Sequence, residues 1–149
     1  MSNLEGSISV EQRGHVLLIG LNRPAKYNGY TPTMAKQLLD AFTRLDEGDD
    51  LFVGVLFGHG DHFTAGLDLP KWAGRMEHGA STEESAPQRV DPIALGRACR
   101  KPIITAVQGI TFTFGIEIAL AGDIVIAADN CRFSQLEPAR GIHATGGAT

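Results

Sequence analysis

Residues 101–129, KPIITAVQGITFTFGIEIALAGDIVIAAD, constrain this chain more than any other stretch. Between Pro102 and Ala128 only Glu117 and Asp123 are ionisable. The short apolar runs at 102–107 and 123–128 predict strands buried on both faces. Residues 114–121, between them, have helix-compatible composition. Glu117 stands among Ile116, Ile118, Ala119 and Leu120, where one side of it cannot easily avoid burial. A buried carboxylate must be paired, or its pKa shifts until it takes up a proton. A capped, paired structural glutamate and a functional one both fit these residues alone.

The rest of the chain reads as strands and helices in repeated units. Residues 7–12 and 15–21 are β-rich and separated by Arg13-Gly14, which predicts a hairpin. Thr31-Pro32 opens a helix, with Thr as cap and Pro in the first helical position. Met34, Leu38, Leu39, Phe42 and Leu45 then recur at helical spacing and give it one buried face. Residues 51–57 form another apolar, β-branched run, followed by a glycine-punctuated loop at 58–66. Residues 71–90 are polar and heterogeneous, the profile of a mobile loop or short helices. Residues 90–100 read as a helix with Ile93, Leu95 and Ala98 inward, and Arg132-Phe133 as a short extended piece. The pattern is an α/β class in which glycine-rich loops follow buried strands, the place where ligand sites gather in such folds.

Composition removes several classes of function. At 149 residues the chain is one domain's worth, long enough to bury a core. A net charge of −4 with no Lys/Arg run argues against a nucleic-acid partner. The start, MSNLEGSISVEQ, has neither basic residues nor an apolar core, and the run from Ile103 to Ile116 is too short for a membrane span. A cytoplasmic protein without a membrane partner is expected. Cys99 and Cys131 lack metal-ligand spacing and read as reduced thiols. Gly58-His59-Gly60 lacks the third glycine of a dinucleotide fingerprint, and no Gly-x-Ser-x-Gly elbow occurs. His59 and His62 have no carboxylate or thiol pair nearby beyond Asp61, so no metal site is expected.

Four separate blocks, in order, carry a more specific signal. They are Asn22-Arg23-Pro24 with Asn28; the run Gly58-His59-Gly60-Asp61-His62-Phe63-Thr64-Ala65-Gly66-Leu67-Asp68-Leu69; Lys101-Pro102 through Gly109, Gly115-Ile116-Glu117, Ala121-Gly122-Asp123 and Ala127-Ala128; and Arg132-Phe133-Ser134-Gln135-Leu136-Glu137 with Gly141-Ile142 and Gly146-Gly147. In this order and spacing the chain resembles the crotonase superfamily, typified by enoyl-CoA hydratase and isomerase. The resemblance implies a spiral of repeated ββα units across residues 1–149, with the family's C-terminal helical part apparently missing.

It also implies an acyl-CoA thioester as substrate, with coenzyme A as part of that substrate and no separate cofactor. Members of the family stabilise an enolate with two backbone N–H groups aimed at the thioester oxygen. The resemblance assigns those donors to Ala65 and Phe114, with Glu117 and Glu137 as the catalytic pair. Two carboxylates facing one site repel each other and keep acid and base forms together near neutrality. Both glutamates being present favours a hydratase over a Δ3,Δ2-enoyl-CoA isomerase, a thioester hydrolase or a silent acyl-CoA binder. The CoA and substrate contacts fall on Arg23, Ala25, Lys26, Thr64, Gly66, Leu67 and Asp68. Homotrimers or pairs of trimers are implied for the full-length form.

Some residues depart from the family pattern. Thr113 and Phe114 stand where glycines are common, Gly29-Tyr30 where small apolar residues are common, and Leu136 where Pro is. The turn at His143-Ala144-Thr145 also departs. The aromatic ring at Phe114 is expected to narrow or reshape the acyl site. The chain stops in a glycine-rich block, short of the family's length, so a fragment of a longer enzyme is expected.

Overall fold

The computed structural model describes residues 5–77 and 88–141. The expectations for residues 78–87 of the polar stretch and for 142–149 lie outside the described residues.

Alternating polar and β-branched residues on either side of Arg13-Gly14 fold as the expected hairpin. Strand β1 (Ser7–Arg13) runs antiparallel to β2 (Val16–Asn22), with Ser7 opposite Asn22 and Arg13 opposite Val16. A 3-10 turn at Pro24–Lys26 follows, then helix α1 (Pro32–Glu47). Thr31 is its cap, its Oγ1 accepting from the Met34 N–H at 3.2 Å, and Pro32 takes the first helical position, where no N–H is needed.

Strand β3 (Val53–Gly58) lies parallel to β2, and helix α2 (Leu69–Glu77) follows the loop after it. Strand β4 (Ile103–Val107) adds to β3, then come β5 (Ile110–Phe112) and helix α3 (Phe114–Leu120). Strand β6 (Ile124–Ala127) pairs with β4, and β7 (Arg132–Ser134) with β5. Two sheets result: five strands in the order β1-β2-β3-β4-β6, and the parallel pair β5-β7. All pairings beyond the hairpin are parallel, so each needs a crossover, and the loops that supply these carry the site.

The core lies where α1 covers the sheet. Leu17, Ile19 and Leu21 of β2 and Leu56 of β3 meet Met34, Leu38 and Leu45 of α1, all fully buried. Burying each such side chain contributes about 1.5–3 kcal/mol. At the C-terminal end of α1 the buried carboxylate of Asp46 accepts from Arg97, from the Arg100 guanidinium and from the Arg100 N–H. This cluster anchors the loop before β4 to the helix.

Two expectations are corrected. Residues 90–100 form no helix, because Asp91 takes the N–H groups a helix would use. Its carboxylate accepts from Ile93, Leu95 and Gly96, the competition for backbone that makes Asp a turn residue. Ala94 has φ +56°, and Leu95 is exposed rather than inward. The run at 123–128 does form a strand, but it is the edge of the five-stranded sheet and its side chains are exposed, Ile126 at 59%. Among the described residues no helix is long and apolar enough to cross a membrane.

Candidate functional site

Three loops converge beside the small β5-β7 sheet. The first, after β2, is shaped by Asn28, fully buried with φ +50°, a left-handed conformation Asn tolerates better than most residues. Its Oδ1 accepts from the Arg23 N–H at 2.7 Å, and its Nδ2 donates to the carbonyls of His59 and His62 at 2.9 and 2.8 Å. Asn28 thus ties the first loop to the second, which follows β3. His62 Nδ1 accepts from the Ile110 N–H and His59 Nε2 lies 2.7 Å from Ser9 Oγ, so both rings have partners within the fold.

The second loop runs through Thr64, Ala65, Gly66 and Leu67. Thr64 is fully buried; its hydroxyl donates to the Asn28 carbonyl and accepts from the Gly66 N–H. It braces the loop from inside, which corrects its expected place among the ligand contacts. The expected donor Ala65 is corrected as well: its N–H is engaged by the Tyr27 carbonyl at 2.9 Å. The N–H left over is that of Leu67. Tyr30 and Leu67 form a parallel bridge in which Tyr30 N–H donates to Gly66 O and Asp68 N–H donates to Tyr30 O. That pattern turns the Leu67 N–H to the opposite side, where nothing among the described residues accepts it.

The third loop joins β5 to α3. Thr113 has φ +50° and ψ −115°, a sparsely populated conformation for a β-branched residue. Its N–H donates to the Ser134 carbonyl at 3.0 Å, which ties this turn to β7. Phe114 begins α3, where the first N–H groups lack intrahelical acceptors, and its own has no partner among the described residues. The Phe114 ring stacks on Tyr30, with centroids 4.3 Å apart. The second and third loops touch directly. A Cβ built on Gly66, φ +92°, would lie 1.8 Å from Thr113 Oγ1, so only glycine permits this approach.

Glu117 sits one turn into α3, and only 7% of it is exposed. Glu137 follows β7 and is half-buried; with its amide nitrogen turned toward the carboxylate, Gln135 donates to Glu137 Oε2 at 2.8 Å. The two glutamates therefore continue from the two strands of one small sheet, Glu117 beyond β5 and Glu137 beyond β7.

The expected CoA contacts divide. Ala25 and Lys26 are exposed at the 3-10 turn, and Leu67 is exposed beside them on the second loop. Arg23 is not presented to solvent. It is 6% exposed, with its guanidinium 2.7 Å from Asp68 Oδ2 and 3.0 Å from the Gly29 carbonyl. A charge so neutralised and buried fixes the loop against the start of α2, which corrects its reading, and that of the Asp68 carboxylate, as ligand groups. Sequence reasoning missed Tyr27 and Tyr30, whose carbonyls and ring order the two loops. The only signal for Tyr30 was its departure from the usual small residue.

The enoyl-CoA hydratase/isomerase family model matches residues 11–149. An enoyl-CoA hydratase from Mycobacterium tuberculosis is 35% identical over 141 residues, 93% of this chain and 53% of that protein. A 2,3-dehydroadipyl-CoA hydratase from Escherichia coli is 33% identical over 140 residues, 94% of this chain and 53% of that protein. The crystal structure of a probable enoyl-CoA hydratase/isomerase from Mycobacterium abscessus superposes with a TM-score of 0.86 at 43% identity. It is covered to 54% by 95% of this chain. The chain thus spans about half the length of the curated relatives it matches. The fold is crotonase-like, and the chain belongs to the enoyl-CoA hydratase/isomerase family.

Proposed function

We propose that the full-length gene product is a 2-enoyl-CoA hydratase, adding water across the α,β double bond of an acyl-CoA thioester. One observation carries the reading: the Leu67 and Phe114 N–H groups lie without acceptors on two loops packed against each other, with Glu117 buried one turn away. Two such donors at one carbonyl oxygen form an oxyanion hole, each worth about 3–4 kcal/mol when charge develops there.

In the proposed reaction the thioester oxygen sits between these donors. Glu117 and Glu137 hold a water; the pair takes one of its protons as its oxygen bonds to the β-carbon. The double-bond electrons move onto the thioester oxygen as an enolate, which the two N–H groups stabilise. A proton from the pair then reaches the α-carbon, and the carbonyl re-forms. The roles belong to the pair and are not divided between its members. Coenzyme A is carried as part of the substrate, with Lys26 and the exposed backbone of Ala25 and Leu67 along its path.

The test is hydration of crotonyl-CoA, followed by loss of enoyl absorbance, in the wild type and in Glu117→Gln and Glu137→Gln. General acid–base groups contribute roughly 10²–10⁴-fold, so each variant should fall by that order. Loss in Glu137→Gln with full retention in Glu117→Gln would replace the hydratase by an isomerase-type proton shuttle. Tight binding of enoyl-CoA esters without turnover would leave a silent binder.

A further inference from the structure

Tyr30 touches both donor-bearing loops while belonging to neither. Its main chain brackets Leu67: its N–H donates to Gly66 O at 2.8 Å and its carbonyl accepts from Asp68 N–H at 2.9 Å. The same carbonyl accepts from Trp72 Nε1 at 2.8 Å. Its ring, in a residue only 4% exposed, lies between Phe114 and Trp72, with centroids 4.3 and 6.3 Å away and both pairs stacked. Trp72 belongs to α2, Phe114 opens α3, and Leu67 lies on the loop between β3 and α2.

We propose that Tyr30 is a positioning residue, which sets the Leu67 and Phe114 N–H groups at one separation and one angle for a thioester oxygen. The proposal deepens the oxyanion reading above and rests on it. The physical case starts at Thr113, whose φ of +50° is strained for a β-branched residue. Where glycine would hold such a turn at no cost, threonine needs the surroundings to fix it. The N–H bond to Ser134 O fixes one side of the peptide plane, but the direction of the next N–H, that of Phe114, also follows the Phe114 side chain. That side chain is fixed by its stack on Tyr30. Aromatic stacking restricts the ring in plane and in offset, which an aliphatic contact of similar volume does not. The main chain of Tyr30 meanwhile faces the Leu67 N–H outward, so one residue references both donors.

The test uses the full-length gene product and butyryl-CoA isotope-labelled at the thioester carbonyl carbon. Two N–H donors lower the carbonyl stretching frequency of the bound thioester, a signature that a purely structural contact does not move. Tyr30→Leu should lose half or more of that shift. Its kcat on crotonyl-CoA should fall about tenfold or more, part of what deleting one donor costs, with KM changed less than about threefold. Tyr30→Phe keeps the stack and should restore the shift. Phe114→Leu removes the same stack from its less buried side and should reproduce the Tyr30→Leu spectrum, which keeps the test open if Tyr30→Leu does not fold. An unshifted carbonyl in the wild type would overturn the oxyanion reading together with this one. A wild-type shift that survives in Phe114→Leu, or in a folded Tyr30→Leu, would overturn the role of Tyr30 and leave the oxyanion hole standing.

Discussion

Replacing Gly66 by alanine should damage the site without changing any side chain proposed to act in it. Two separate costs can be read from the geometry. The first is backbone: φ is +92°, and holding an L-residue in so sparsely populated a region costs about 1–3 kcal/mol. The second is steric. The new Cβ would lie 1.8 Å from Thr113 Oγ1, 3.2 Å from Thr113 Cβ and 3.3 Å from the Phe112 carbonyl, and overpacking of this kind costs about 1–3 kcal/mol. Gly66→Ala should therefore lose about 2–6 kcal/mol in urea unfolding followed by circular dichroism. Thr113→Ala deletes Oγ1 but leaves its Cβ and the Phe112 carbonyl in place. The double variant should recover most of the steric cost and none of the backbone cost, a coupling of about 1–3 kcal/mol. Whatever fraction of Gly66→Ala folds should hydrate crotonyl-CoA about 10²-fold more slowly, because the Leu67 N–H moves with the loop. An unchanged urea midpoint, or strict additivity in the double variant, would refute the claim that these two loops are in hard contact.

Two further outcomes follow from charged residues. Burial of the Asp46 carboxylate acts to raise its pKa, but the hydrogen bonds from Arg100 and Arg97 outweigh it and bring it from 3.8 down to about 2. A depressed folded pKa gives stability that is present above the unfolded value and is lost as pH falls from about 4 toward about 2. Asp46→Asn should cost about 1–2 kcal/mol at neutral pH once screening of the exposed arginines is allowed for, and the gap from wild type should close across that window in urea titrations. Lys26 is exposed on the turn proposed to follow the CoA phosphates, so Lys26→Ala should raise KM by about two- to fivefold with kcat unchanged. That effect should fade in kinetics at ~1 M salt; a salt-independent change would mean that Lys26 acts by packing.

What the sequence revealed and what it hid follow one division. The hairpin, the Thr31 cap, Pro32 at the start of α1 and the apolar face of that helix are encoded within a few residues of each other, and all of them form as read. Residues 90–100 carry an apolar spacing that fits a helix, yet one short side chain, Asp91, redirects their N–H groups into turns. The run at 123–128 shows its β-branched composition but not its rank in the sheet, because a central and an edge strand can share a sequence. In the site, Glu117 was legible from its apolar neighbours. Which N–H faces outward on the second loop was not. It depends on Tyr27 and Tyr30, more than thirty residues upstream, and no local pattern separates Ala65 from Leu67. Arg23 hid its role in the same way, since its partner Asp68 lies 45 residues on.

The two least ordinary residues of the site explain each other. Phe114, taken alone, puts a bulky ring at the point where a flexible backbone turn is usual, and Tyr30, taken alone, puts one where a small apolar side chain is usual. In the fold the two rings meet at 4.3 Å. A backbone donor is indifferent to the side chain on its own residue, provided that side chain has a place which leaves the N–H pointing outward. Tyr30 supplies that place, and Thr113 accepts the strained turn that glycine would otherwise relieve. The pair thus substitutes side-chain packing for backbone freedom. Replacing Phe114 by glycine should not by itself improve the site, because it leaves the Tyr30 ring uncovered on one face and frees the turn that the stack was holding. If the variant Phe114→Gly instead raised kcat on crotonyl-CoA above wild type, the rings would be obstructing the site and not aligning it.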